Sequence, residues 1–211
     1  TTPFPSTPSA IVTFPDLIYS QSKKNAEQLL ESYSKNYSMP ITVLRFFNTY
    51  GPRMDNKRIS PPLISYIIKE ILNNKNPILH SDGKQERDYI YIDDVIDVFK
   101  ILLNTKFSKY EIYNICSEKT YSVNEIYKLI KDSMRTNIEP IFNKPKSFWD
   151  KFKNLYNGKY VFNQNRVKKE VNKFTLGSSK KVQTKLNWRA KTSIKSGINK
   201  TVNYYRNDFD F

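Results

Sequence analysis

An α/β protein built around parallel strands is expected, and three observations predict it. Short apolar runs rich in β-branched residues alternate with segments of helical periodicity. Ile41-Thr-Val-Leu-Arg-Phe-Phe47 is mostly apolar and β-branched, consistent with a buried strand of the parallel kind, and Glu111-Ile-Tyr-Asn-Ile115 is read as a second buried strand. Finally, 211 residues with 38% hydrophobic, 26% charged and 14% aromatic side chains provide one sizeable core or two small lobes, which excludes a disordered or fibrous chain. Two strands do not make a doubly wound sheet. The rest of that sheet is therefore expected outside this sequence.

The elements are taken in chain order. A Pro/Ser/Thr-rich opening, Thr1 to Ser9, has no Met and reads as an internal loop, so the sequence is expected to be part of a longer chain. Ser20 to Tyr37 sets Ala26, Leu29, Leu30 and Tyr33 at helical spacing, and Pro40 ends that helix ahead of the first strand. Pro61-Pro62 can open a second helix whose stripe is Leu63, Ile64, Ile67, Ile68, Ile71 and Leu72. After a turn at Ser81-Asp-Gly83, the alternation in Tyr89-Ile-Tyr-Ile92 predicts a strand. Asp93-Asp94 are placed to cap the helix carrying Val95, Val98, Phe99, Leu102 and Leu103. The strand at 111–115 comes next. Ser122-Val-Asn-Glu125 has the form of a capping box and opens a helix through Ile126, Leu129, Ile130 and Met134. Periodicity weakens from about 140 to 175. Two helices close the sequence, Ser178 to Leu186 and Thr192 to Tyr205, joined across Asn187-Trp188-Arg189.

Charge and cysteine usage narrow the function classes. There are 35 basic and 20 acidic residues, a formal net charge of +15, which favours an anionic partner. Only eight of the basic residues are Arg, a bias that also fits general compositional drift. Residues 144–200 carry 14 Lys and two Arg against Asp150 and Glu170, with Phe148, Trp149, Phe152, Tyr156, Tyr160 and Phe162 interleaved. A nucleic-acid surface that stacks bases is the rival reading of that segment, and a solvated lysine face is preferred. Cys116 cannot form an internal disulfide, and the opening residues lack the pattern of a signal peptide, so a cytoplasmic location is expected. The most apolar stretches fall short of about 18 unbroken apolar residues, so no membrane span is expected. Lone His80 and the Asp93-Asp94 pair lack neighbours at ligand spacing, so no metal is expected. Cys116 is read as a small core residue.

Tyr19-Ser-Gln-Ser-Lys23 puts a phenol and an ammonium four residues apart on one helix face. A neighbouring ammonium favours the phenolate and makes the hydroxyl usable as a general base or acid. Roughly two such spacings arise by chance in a chain this rich in Tyr and Lys. The second, Tyr127 to Lys131, lies within an amphipathic helix and is read as structural.

Four motifs in a fixed order distinguish Tyr19. Tyr19-Ser-Gln-Ser-Lys-Lys-Asn-Ala-Glu-Gln, Leu44-Arg-Phe-Phe-Asn-Thr-Tyr-Gly-Pro-Arg53, Asp82-Gly-Lys-Gln-Glu-Arg-Asp-Tyr-Ile-Tyr-Ile-Asp-Asp94 and Leu186-Asn-Trp-Arg together resemble the second half of the extended short-chain dehydrogenase/reductases. Within that family the match is to the NAD-dependent nucleotide-sugar epimerases and dehydratases. The resemblance implies a doubly wound Rossmann sheet interleaved with a smaller α/β lobe. Residues 1–50 and 92–116 would be the remainder of the NAD-binding domain, and 51–91 and 117–211 the nucleotide-sugar-binding lobe. It implies that Tyr19 takes the proton from a sugar C4 hydroxyl while hydride passes to NAD, and that Lys23 holds the cofactor ribose. Phe46 would lie near the nicotinamide, and Asn48 would contact the sugar or diphosphate. Arg87 would bind the diphosphate, a task suited to a planar fork of donors. Arg166 would be a second phosphate ligand, although the spacing to Glu170 is one residue longer than the family's pattern.

Two departures stand out. Ile18 replaces the Pro that precedes the catalytic Tyr, while Ser22-Lys23 is kept. The Gly-rich loop that receives the cofactor pyrophosphate is missing: Gly51, Gly83, Gly158, Gly177 and Gly197 are too far apart to form it. The expectation is a UDP-sugar 4-epimerase, homodimeric when complete, with a 4,6-dehydratase or a UDP-glucuronate decarboxylase as alternatives. The chain alone is expected to be inactive.

Overall fold

The computed structural model describes residues 18–58, 61–107, 109–144 and 174–207. The elements in chain order are α1 (Ile18–Tyr37), β1 (Thr42–Phe46), β2 (Asn48–Tyr50), α2 (Leu63–Leu72), β3 (Ile78–His80), β4 (Glu86–Tyr91), α3 (Ile92–Leu103), β5 (Glu111–Ile115), β6 (Thr120–Ser122), α4 (Val123–Met134), β7 (Ile141–Asn143), β8 (Phe174–Thr175), α5 (Lys180–Leu186) and α6 (Ile194–Asn207). They fall into two compact units. The first holds the described residues up to Thr49, with Asp88–Lys119 and Leu176–Thr192; the second holds Tyr50–Arg87, the described part of Thr120–Thr175, and Ser193 onward.

In the first unit β1 and β5 pair in parallel, with Thr42 opposite Glu111 and Phe46 opposite Ile115. Both segments expected as buried strands of a parallel sheet form strands, and they are neighbours. Ile90, Val95, Val98, Tyr113, Ile115, Val182 and Trp188 make its core, with Leu44, Ile101 and Leu186 packed around them. Burying one such aliphatic side chain contributes roughly 1.5–3 kcal/mol. Val182 and Trp188 belong to a segment that the sequence reading placed with the smaller lobe. Their burial in this core joins residues 176–192 to the first unit.

The second unit packs α2, α4 and α6 on one another. Ile64, Ile67, Ile68 and Ile71 of α2 meet a core that includes Ile126, Ile130, Ile198 and Val202. Tyr50 is buried against α6, where a Cβ on Gly197 would fall 2.1 Å from the Tyr50 hydroxyl. Glycine is what lets the ring approach that closely. Strands β3 and β7 pair in parallel, and β8 runs parallel to the start of β4, with Glu86 opposite Phe174 and Arg87 opposite Thr175.

Local signals were carried out with two exceptions. The capping box at Ser122 is complete: the Ser122 hydroxyl accepts the Glu125 N–H, and the Glu125 carboxylate accepts the Ser122 N–H. The strand predicted at 89–92 runs from Glu86 to Tyr91, and Ile92 begins the helix. Asp93 and Asp94 do not cap α3. Its N-cap is Tyr91 without a side-chain bond, and the two acids occupy the first turn, where they complement the helix dipole. The Asp94 carboxylate instead accepts the Lys191 and Thr192 N–H groups at 3.1 and 3.0 Å. The carboxylate thereby satisfies two main-chain donors that lie outside any strand or helix.

Candidate active site

Arg45, on β1, donates from Nε and a terminal nitrogen to the two carboxylate oxygens of Glu27 in α1, at 2.8 and 2.6 Å. The Glu27 carboxylate in turn holds the guanidinium above its ordinary pKa. The Tyr110 hydroxyl, just before β5, donates to the Glu27 carbonyl at 3.0 Å. Helix α1 is thereby fixed to both strands at its middle. At its far end Ser34 donates to the Met39 carbonyl at 2.6 Å and closes the return to β1. The chain leaves the end of α1 to enter β1, and Glu27 meets Arg45 near the carboxyl end of that strand. The start of α1 therefore projects beyond the carboxyl end of β1, with Tyr19 about 12 Å up the helix from Glu27. Ligands of open α/β sheets bind outside the carboxyl ends of parallel strands.

Tyr19 is 73% exposed at that end of the helix. The Lys23 ammonium lies 5.4 Å from the centroid of the Tyr19 ring, so the predicted pair does share a face and is in contact. Ser22 donates to the Tyr19 carbonyl at 2.8 Å. There is no acidic residue in the first turn of α1, and two lysines, Lys23 and Lys24, follow closely. The start of α1 is therefore basic, with no carboxylate in its first turn to complement the helix dipole.

Phe46 closes β1, 45% exposed, with its ring 6.0 Å from that of Phe99. Asn48 is next, on β2, and donates from Nδ2 to the Asp88 carbonyl at 2.8 Å. A carbonyl only accepts, so this bond fixes which end of the Asn48 amide faces inward and turns Oδ1 away from it. Tyr19, Lys23, Phe46 and Asn48 all belong to the first unit. Arg87 belongs to the second, on β4, where one of its terminal nitrogens donates to the Glu86 carbonyl at 2.9 Å. Arg166 lies outside the described residues.

Sequence reading left Asp88 without a role of its own. It is fully buried, and its carboxylate accepts four hydrogen bonds: the Ser117 N–H at 2.9 Å and hydroxyl at 2.7 Å on Oδ1, the Glu118 N–H at 3.0 Å and the Gly177 N–H at 3.2 Å on Oδ2. Burial pushes this carboxyl above the usual carboxylate range, against the pull of the four donors. The available signal was an acid set within an apolar strand run, Arg87-Asp-Tyr-Ile-Tyr91. Next to it Cys116 is buried and burial pushes its thiol well up, which suits a core residue and no nucleophile. The Tyr127–Lys131 spacing is structural: the Tyr127 hydroxyl donates to the Ile138 carbonyl, and Lys131 pairs with Glu139. Among the described residues no group of three or more His, Cys, Asp or Glu could hold a metal ion, and no helix is long and apolar enough to cross a membrane.

Residues 9–201 match the family model described as GDP-mannose 4,6 dehydratase. A putative UDP-glucose 4-epimerase of Methanocaldococcus jannaschii is 32% identical over 90% of this chain and 53% of its own length. The human dTDP-D-glucose 4,6-dehydratase is 30% identical over 90% of this chain and 49% of its own. The chain thus spans about half the length of the curated relatives it matches. Among solved structures, the UDP-glucose 4-epimerase of Thermotoga maritima with UDP-glucose aligns at a TM-score of 0.73 with 26% identity, covering 89% of this chain and 53% of that one. The α/β fold is therefore the Rossmann type expected from the motifs, and the chain belongs to the nucleotide-sugar epimerase and dehydratase family that the GDP-mannose 4,6 dehydratase model describes.

Proposed function

We propose that the chain carries the proton-transfer and sugar-binding machinery of an NAD-dependent UDP-sugar 4-epimerase. The observation that carries this reading is the Tyr19–Lys23 contact at the exposed start of a helix fixed to β1 by the Arg45–Glu27 pair. NAD fits the residues present at its nicotinamide end. Phe46 offers a half-exposed aromatic face at the carboxyl end of β1, and Lys23 offers donors for a ribose hydroxyl. The pyrophosphate end has no counterpart, since the chain has no Gly-rich loop. When bound, NAD supplies a hydride acceptor and donor.

The chain's own residues perform the rest. Tyr19 accepts the proton of the sugar C4 hydroxyl as that carbon is oxidised to a ketone, and returns it when the ketone is reduced. The Lys23 ammonium beside the ring stabilises negative charge developing on the phenolic oxygen. Asn48 is held by the Asp88 carbonyl and offers Oδ1 and its remaining N–H to the substrate. Arg87 offers donors for the nucleotide diphosphate, and Arg166 is assigned the same task by motif alone. The apolar face that α1 leaves exposed, Leu29, Tyr33 and Tyr37, supports pairing of two copies through this helix.

The test is turnover of UDP-glucose with NAD by the complete enzyme that carries this chain, followed by proton NMR. Formation of UDP-galactose supports the 4-epimerase, and a 4-keto-6-deoxy sugar would make it a dehydratase, the activity several relatives are named for. Tyr19→Phe should lower turnover roughly 10²- to 10⁴-fold. Turnover equal to that of the unsubstituted enzyme would overturn the reading.

A further inference from the structure

Asn48, the loop after β5 and the segment before α5 are joined through one residue. The Asp88 carbonyl takes the Asn48 Nδ2, while its carboxylate takes two donors from Ser117, one from Glu118 and one from Gly177. Glu118, at φ 61°, extends the chain of bonds: its carboxylate accepts the Ser179 N–H at 2.7 Å and the Gln183 amide at 2.9 Å at the start of α5. A fully buried carboxylate whose lone pairs are all directed at main-chain or hydroxyl donors is held in one orientation, and so is the peptide it belongs to. That peptide presents the carbonyl on which Asn48 rests. Adjacent residues of a strand point to opposite sides, so the Asp88 side chain faces these loops while Arg87 faces the other way.

We propose that Asp88 is a positioning residue for substrate binding. It acts through Asn48, by locking the β4 peptide whose carbonyl orients the Asn48 amide. This rests on the reading of Asn48 as a substrate contact. It assigns Asp88 no contact with substrate and no proton transfer.

The experiment is a double-mutant cycle in the complete enzyme, with Asp88→Asn, Asn48→Ala and the pair, read by calorimetric titration with UDP-glucose and by KM and kcat. In Asp88→Asn the new amide nitrogen faces the Glu118 and Gly177 N–H groups, so two of the four bonds are lost while volume is kept. The expected result is a roughly tenfold weaker binding of UDP-glucose for each single variant, about 1.4 kcal/mol, and no further weakening in the double. KM should carry the loss, with kcat changed less. Additive losses, or an Asp88→Asn enzyme that binds as tightly as the parent, would overturn the positioning role while leaving Asn48 as a contact. An Asn48→Ala enzyme with unchanged affinity would instead overturn the reading of Asn48 itself. Should Asp88→Asn fail to fold, Ser117→Ala, which removes one bond of the four, replaces it in the same cycle and must show the same non-additivity at smaller amplitude.

Discussion

Replacing Glu27 by Gln tests whether the ion pair to Arg45 fixes helix α1, which carries Tyr19 and Lys23. The two side chains are about one-fifth exposed, 21% for Glu27 and 22% for Arg45, so the pair is neither a surface bridge nor a fully buried one. Exposed pairs contribute about 0–1 kcal/mol, and breaking a buried pair costs about 3–5 kcal/mol. The bidentate geometry at 2.8 and 2.6 Å puts this one between them, at about 2 kcal/mol. Gln keeps one acceptor for the guanidinium and sets an NH2 group against the other nitrogen, so one bond and the charge term go together. The Tyr110 bond reaches the Glu27 main chain and survives the substitution, which keeps α1 docked. Urea unfolding of the parent, Glu27→Gln, Arg45→Met and the double variant gives the coupling directly. A coupling energy of about 1–2 kcal/mol is expected, reduced but not abolished in high salt. A value below about 0.5 kcal/mol would refute the reasoning and leave α1 held by the Tyr110 bond and apolar packing.

Three further outcomes are expected from the same structure. The Ser122 N–H, and then its hydroxyl, hold the Glu125 carboxyl below the usual carboxylate range. A pKa lower in the folded than in the unfolded state adds stability above the unfolded value and loses it as pH falls through the folded one. Glu125→Gln should therefore flatten the acid side of the stability profile, and Ser122→Ala should cost about 1 kcal/mol near neutral pH; an unchanged acid limb in Glu125→Gln would contradict this. At Gly177 an added methyl would sit 2.5 Å from the Cys116 sulfur and 2.8 Å from the Phe47 ring, so Gly177→Ala should destabilise by about 1–3 kcal/mol in thermal unfolding, and a neutral effect would show that the contact relaxes freely.

What the sequence made legible was local. The capping box spans four residues, the strands at 42–46 and 111–115 announce themselves by composition, and the Tyr19–Lys23 contact is one helical turn. What it hid depends on partners far away in the chain. Asp88 meets donors 29, 30 and 89 residues on, and Asp94 meets donors 97 and 98 residues on. Nothing in the spacing of Asp93-Asp94 separates a helix cap from a loop anchor, because both use the same carboxylate for the same kind of donor. The residue motifs around Asn48 and Arg87 were visible as motifs, but the bond that orients Asn48 was not.

The two buried acids also hold residues 176–192 within the first unit. The chain leaves the first unit at Lys119 and returns at Leu176. The return is held at both ends by carboxylates of the first unit, Asp88 on Gly177 and Asp94 on Lys191 and Thr192. Between them Val182 and Trp188 enter the core, and the Trp188 ring N–H reaches the Asp94 carbonyl at 3.2 Å. Burying each of these side chains contributes roughly 1.5–3 kcal/mol to holding the segment there. The same return brings Gly177 onto Asp88, so the contacts that bind residues 176–192 to the first unit also complete the set of donors that holds the Asn48 carbonyl partner in place.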